Sequence, residues 1–188
     1  KQLKYVNPYT KNLAVTIHKE SGIETEECSE GGRNVSFIEN GDWIQVKGVD
    51  FGSSGATSFE ARVASNTNGG NIEIRLDGPT GRLVGTCKVD GTGGWQNWTT
   101  KTCTISGATG IHDVFFRFTG GSGYLLNFSW WKFNTDGTST PTDPVATPTP
   151  TSVPLPSPVP VVPRSAFSKI EFEEFNDIKS STMQKIGT

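Results

Sequence analysis

Asn71-Ile72-Glu73-Ile74-Arg75-Leu76 decides the fold class. Ile72, Ile74 and Leu76 share one face of the segment and Asn71, Glu73 and Arg75 share the other, the period of two expected of a strand with one buried side. His112 to Phe118 repeats the pattern, with Val114, Phe116 and Phe118 on one face. Similar short runs surround Phe37, Ile44, Phe59, Leu83, Trp98 and Leu126. Turn residues separate them: Asn40-Gly41-Asp42, Asn68-Gly69-Gly70, Gly91-Thr92-Gly93-Gly94 and Gly120-Gly121-Ser122-Gly123. No stretch of about twelve residues carries helical spacing. Eight or more short strands in about 130 residues predict an all-β fold, a sandwich of two antiparallel sheets.

Outward from this region the composition changes. Of the 11 prolines in the 188 residues, nine fall between Pro141 and Pro163, and of the 22 glycines, 21 precede residue 138. Repeated proline removes backbone donors and fixes φ near the polyproline value, so residues 138–164 read as an extended, disordered Pro/Thr/Ser-rich linker. At roughly 3.1 Å per residue its 23-residue proline-rich part can span up to about 70 Å. Residues 1–137 are enough for a core of their own. Residues 165–188 are not, and read as a fragment of another module or a segment that packs on something else. The opening Lys1-Gln2-Leu3-Lys4-Tyr5 has neither an initiating Met nor a signal pattern, so the chain reads as an excerpt or a processed form.

Charge excludes several function classes. Seventeen Lys and Arg against 19 Asp and Glu give a net charge of −2, which offers no basic footprint for nucleic acid or an anionic membrane. No apolar run approaches the roughly 18 residues needed to span a bilayer. With two His, three Cys and one Met there is little for metal or redox chemistry. Sugar hydrolysis needs two carboxylates facing across a cleft. Glu60, Glu73 and Asp77 read instead as outward or turn positions, and Glu24, Glu26, Glu27 and Glu30 as a solvated acidic loop, with a metal site as the alternative for that cluster. His18 and His112 read as packing or strand-end residues. Cys87 and Cys103 bracket a Trp95–Trp98 hairpin, so a cross-strand disulfide is sterically allowed. Three reduced thiols, Cys28 among them, are the alternative. The linker composition favours an extracellular setting.

The tryptophans are more informative. In Asp42-Trp43-Ile44-Gln45-Val46-Lys47, alternation puts Ile44 and Val46 inside and leaves Trp43, Gln45 and Lys47 on the wet face. Trp95 follows Gly93-Gly94 at a loop end, where glycine allows a sharp bend or the approach of a ligand. Trp98, Trp130 and Trp131 read as ordinary packing. Exposed rings beside neutral hydrogen-bonding groups such as Asn127 suit a sugar, whose apolar C–H face stacks on aromatics while its hydroxyls need donors and acceptors.

Four stretches in this order, ENGDWIQVKGVDFG, GGNIEIRLDGPTG, GTGGWQNWTT and GGSGYLLNFSWWKF, resemble carbohydrate-binding module family 6 over roughly residues 7–134. The resemblance implies a β-jelly roll appended to secreted bacterial hydrolases, with a sugar cleft in the loops at one end. It implies Trp43 and Trp95 as the two rings that sandwich a sugar, Asn127 as an orienting amide and Glu26 as a polar contributor from the early loop. Xylan and xylo-oligosaccharides are the implied ligands, with β-glucans in some members. The family's structural calcium is held by a Glu-x-Glu pair and an Asp, and this chain has Leu13, Val15 and Ser129 there. Calcium wants several oxygen ligands, so weak or absent calcium binding is expected, with no other cofactor. Ser168-Lys169-Ile170-Glu171-Phe172-Glu173-Glu174-Phe175 resembles the start of a second module of the family, with Glu171 and Glu173 in the pair positions. Lys1–Tyr9 resembles a junction following a family 43 glycoside hydrolase.

The expectation is therefore a non-catalytic, monomeric, secreted module of bacterial origin, working beside a catalytic module in its parent chain, with no nucleic-acid or membrane partner. The rival readings are a small jelly-roll glycosidase and a protein-adhesion or spacer module.

Overall fold

A computed structural model describes residues 4–135. The linker 138–164 and the second-module resemblance at 165–188 lie outside the described residues.

Among the described residues eleven strands run in the order β1 (Asn12–Leu13), β2 (Lys19–Ser21), β3 (Glu24–Glu27), β4 (Arg33–Ser36), β5 (Trp43–Asp50), β6 (Ala56–Ser65), β7 (Gly70–Leu76), β8 (Arg82–Val89), β9 (Gly94–Ala108), β10 (Ile111–Thr119) and β11 (Asn127–Asn134). They form two antiparallel sheets. One has the order β3-β4-β11-β6-β9 with β1 also on β11, and the other the order β2-β5-β10-β7-β8. Only β3–β4 and β7–β8 are consecutive strands paired as hairpins, and every other step along the chain crosses between the sheets. That alternation is the jelly-roll way of building a sandwich.

The period-two reading of the sequence holds at its deciding stretch. Ile72, Ile74 and Leu76 on β7 and Val114, Phe116 and Phe118 on β10 are buried, in register as Phe116↔Ile74 and Phe118↔Ile72. From the opposite sheet come Phe59, Phe128, Trp131 and Phe133. Phe116 lies at the centre, with ring centroids 5.4 Å from Phe59, 5.6 Å from Phe128 and 5.3 Å from Trp131. None of these contacts is a parallel stack, as the aromatic quadrupole favours.

Several expectations need correcting. Glu24–Glu27 is not a loop but an edge strand on β4. It carries no apolar alternation because an edge of exposed charges has no core to face. Gln45 is buried rather than wet, since β2 and β10 flank it on either side and Asp113 Oδ2 accepts its amide at 2.9 Å. Trp95 and Trp98 form no hairpin, because both lie on the single long strand β9. Cys87 on β8 and Cys103 on β9 sit on edge strands of opposite sheets, with their side chains close enough to interact and both present as thiols. Hydrogen bonding with Cys87, then burial, pushes the Cys103 thiol well up from its ordinary value. Trp131 is core, as expected, and Trp98 is buried in a separate cluster with Cys28 and Ala64. Trp130 is half-buried, with Lys11 Nζ 5.2 Å from its ring centroid.

Candidate functional site

A cavity of about 140 Å³ opens between the end of the β3-β4-β11 side and the loops beyond it, lined by Glu26, Ser36, Phe37, Trp95, Tyr124 and Asn127. Each lining residue has a local reason to be there. Val35 is inward and pairs with Phe128, so Ser36 and Asn127, one step along their strands, stand side by side on the opposite face. Glu26 pairs with Asn34 on the same face. Phe37 follows at φ 55°, a left-handed conformation that a bulky side chain rarely adopts. Alternation would send Phe37 inward beside Val35, but the positive φ turns its ring out and lets Ile38 take the buried place. The result is an aromatic ring left 40% exposed at the cavity wall. Backbone strain of this kind costs about 1–3 kcal/mol and gathers at functional positions.

Tyr124, 46% exposed, stands edge-on to two neighbours. Its ring lies 5.4 Å from Phe37 at 88° and 6.5 Å from Trp95 at 80°. No pair of these rings is stacked face to face, so ring faces remain for an incoming ligand. The Tyr124 loop is tied down by its backbone. The Tyr124 carbonyl accepts from Thr67 Oγ1 at 3.1 Å, the Leu125 carbonyl from Ser65 Oγ at 2.6 Å, and Leu125 N donates to the Ile38 carbonyl at 2.8 Å.

The polar side of the cavity is a connected network. Glu26 Oε1 accepts from Asn127 Nδ2 at 2.6 Å, Gln96 Nε2 at 2.9 Å and Asn34 Nδ2 at 3.4 Å. Asn127 Nδ2 also donates to the Trp95 carbonyl at 2.7 Å. Both amide hydrogens of Asn127 are thus committed inside the protein, and its Oδ1 is what it can offer a ligand. Gln96 Oε1 in turn accepts from Ser29 N at 2.8 Å and Trp98 Nε1 at 3.2 Å. Ser36 Oγ is buried with no hydrogen-bond partner among the described protein groups.

The structure therefore brings Trp95, Asn127 and Glu26 together and leaves Trp43 out. Trp43 does lie on the outer side of its strand, but on the other sheet. It pairs with Ser21 and Arg117, and its ring is spent on Phe115 at 5.4 Å. The residues that the sequence did not single out are Phe37, Tyr124, Ser36 and Gln96. Of the six lining residues Glu26 alone is a carboxylate, short of the pair that glycoside hydrolysis requires.

At the positions of the family calcium ligands, Leu13 is exposed and Val15 packs on the core. Ser129 Oγ lies 3.7 Å from Cys28 Sγ. One hydroxyl beside a thiol and two aliphatic side chains make a poor donor set for calcium. Among the described residues no three His, Cys, Asp or Glu side chains gather to hold a metal.

The profile of the carbohydrate binding module (family 6) matches residues 13–135. The chain belongs to that family. An arabinoxylan arabinofuranohydrolase of Paenibacillus polymyxa is 50% identical over 146 residues, which is 73% of this chain and 23% of that protein's length. Among solved structures, a family 6 module from Clostridium cellulolyticum in complex with xylose is 54% identical with a TM-score of 0.67, over 69% of this chain and 99% of that one. A β-1,3-glucan-binding family 6 module from Bacillus halodurans is 41% identical with a TM-score of 0.67, over 70% and 99%. The chain is thus a carbohydrate-binding module of a kind generally without catalytic activity.

Proposed function

We propose that the module holds a secreted bacterial plant cell-wall hydrolase on xylan-type polysaccharide, with one sugar ring seated among Phe37, Trp95 and Tyr124. The observation that carries this reading is the joining, in one cavity, of three unstacked aromatic rings with an amide–carboxylate pair. A cavity of about 140 Å³ is well below the roughly 300–1,000 Å³ typical of drug-sized ligands, and suits a single pyranose. The ring's C–H face would lie on the aromatics, while Asn127 Oδ1 and the second oxygen of Glu26 accept from its hydroxyls. Trp43, which the family resemblance implied, yields its place in this proposal to Phe37. Affinity should be modest, about micromolar to millimolar, since an open site recovers only about 4–8 kcal/mol. The names of the relative with arabinoxylan activity and of the xylose complex support xylan as the ligand.

The proposal includes independence from calcium, given the side chains at the family's metal positions, and a parent chain that supplies the catalysis. Depletion of the protein from solution by insoluble arabinoxylan, with insoluble β-1,3-glucan in parallel, tests the ligand. Retention on the glucan alone would reassign the ligand, and retention on neither would favour an adhesion or spacer role. Release of reducing sugar from soluble xylan would favour the glycosidase reading.

A further inference from the structure

The unexplained group at the site is Ser36. The residue is 1% exposed, its hydroxyl has no hydrogen-bond partner among the described protein groups, and it lines the cavity. A buried hydroxyl left unpaired costs about 1–3 kcal/mol, and such groups in a folded protein call for a reason. An alanine would fill the same place without that cost. The neighbouring strand sharpens the point. The Phe128↔Val35 pairing puts Ser36 directly across from Asn127, where Cβ atoms of facing residues lie about 4.5–5.5 Å apart. The two side chains thus present an uncommitted hydroxyl and an uncommitted amide oxygen next to each other on the floor of an aromatic-walled cavity.

We propose that Ser36 is a specificity-determining residue of the sugar site, and that Ser36 Oγ and Asn127 Oδ1 together grip two adjacent hydroxyls of the bound pyranose. This rests on the proposed sugar-binding reading and adds what that reading lacks, a requirement for a vicinal diol at a defined edge of the ring. The chemistry is complementary. Asn127 Oδ1 can only accept, so it takes one sugar hydroxyl as donor. Ser36 Oγ both donates and accepts, so it can satisfy the second hydroxyl whichever way that group points. Asn127 is itself oriented by Glu26 and the Trp95 carbonyl, so the pair is fixed before the ligand arrives.

The test is calorimetric titration of the 188-residue chain and its Ser36→Ala variant with xylobiose and with monodeoxy xylobioses, alongside thermal unfolding of both proteins without sugar. Ser36→Ala should weaken xylobiose about fivefold, which is the worth of one neutral hydrogen bond. Its unfolding midpoint should be unchanged or higher, because the change removes no hydrogen bond made within the protein. One deoxy derivative should bind the parent about fivefold more weakly and lose nothing further in the variant. Unchanged xylobiose affinity in Ser36→Ala would overturn the proposal. So would a joint fall in affinity and midpoint, which marks a structural role. A parent protein that binds no xylobiose would overturn the sugar-site reading as well, whereas a parent that binds and a variant that matches it would overturn this inference alone.

Discussion

Replacing Phe37 by Gly and, separately, by Ala separates the two roles of that position, because both changes remove the ring and only one accommodates the backbone. At ordinary sites glycine is less stable than alanine by about 0.5–1 kcal/mol, since it has more freedom to lose on folding. At Phe37 the φ of 55° reverses the order. A Cβ in the left-handed region costs roughly 1–2 kcal/mol, so Phe37→Gly should be more stable than Phe37→Ala by about 0.5–1 kcal/mol. Both lose the edge contact with Tyr124, 5.4 Å away, worth about 0.5–1.5 kcal/mol. For binding, a side chain of about 200 Å² that is 40% exposed offers about 80 Å². Half of that covered by a sugar is worth about 1 kcal/mol at 25 cal/mol per Å². A stacking contribution of similar size brings the loss to about 2 kcal/mol, or about 30-fold in affinity. Urea unfolding gives the first comparison and calorimetry with xylohexaose the second. Phe37→Ala proving the more stable variant would refute the strain argument, and full affinity in both would remove Phe37 from the site.

Trp43→Ala should leave sugar affinity within about twofold while destabilising the fold by about 2 kcal/mol through the lost contact with Phe115, as read by parallel calorimetry and urea unfolding. Thermal midpoints measured in calcium and in EDTA should coincide, since Leu13, Val15 and Ser129 give the metal little to bind. The hydrogen bonds that Arg62 donates to Glu30, at 3.0 and 2.5 Å, hold the Glu30 carboxyl below its ordinary value of 4.5, with the charges of Arg62 and Lys11 adding to the effect against partial burial. A depressed carboxyl contributes stability that is present above the unfolded value and lost as the pH falls through the folded one. The midpoint of the parent should therefore fall more steeply than that of Glu30→Gln as the pH drops below 4.5. Identical pH profiles would show that the pair, exposed on its Glu30 side, is screened to nothing.

Alternation of apolar residues and glycine-rich turns made the sandwich legible, because a sheet with one buried face must write that face into every second residue. The same signal says less about the cavity. It shows that Trp43 points away from the core, but both sheets have an outer side, and nothing local to Trp43 says which sheet or which end holds a cavity. Phe37 was hidden for the opposite reason. It falls on the inward beat set by Val35, and only a positive φ that no periodic pattern marks sends its ring outward while Ile38 turns in. Trp95 and Asn127, both offered by the sequence, line the cavity, the one just after paired glycines and the other at the start of the last strand within the GGSGYLLNFSWWKF stretch. Gln96 and Ser36 reach the cavity and its hydrogen-bond network through pairings between strands distant in sequence, which one chain read alone does not reveal. The acidic run Glu24–Glu27 looked like a loop because an edge strand facing water needs no apolar period.

The most direct measurement is calorimetric titration of the 188-residue chain and its Trp95→Ala variant with xylohexaose. Binding by the parent in the micromolar to millimolar range, lost in Trp95→Ala with the unfolding midpoint retained, is the expected result. Equal binding by the two proteins would contradict the placement of the sugar in the cavity of Phe37, Trp95 and Tyr124.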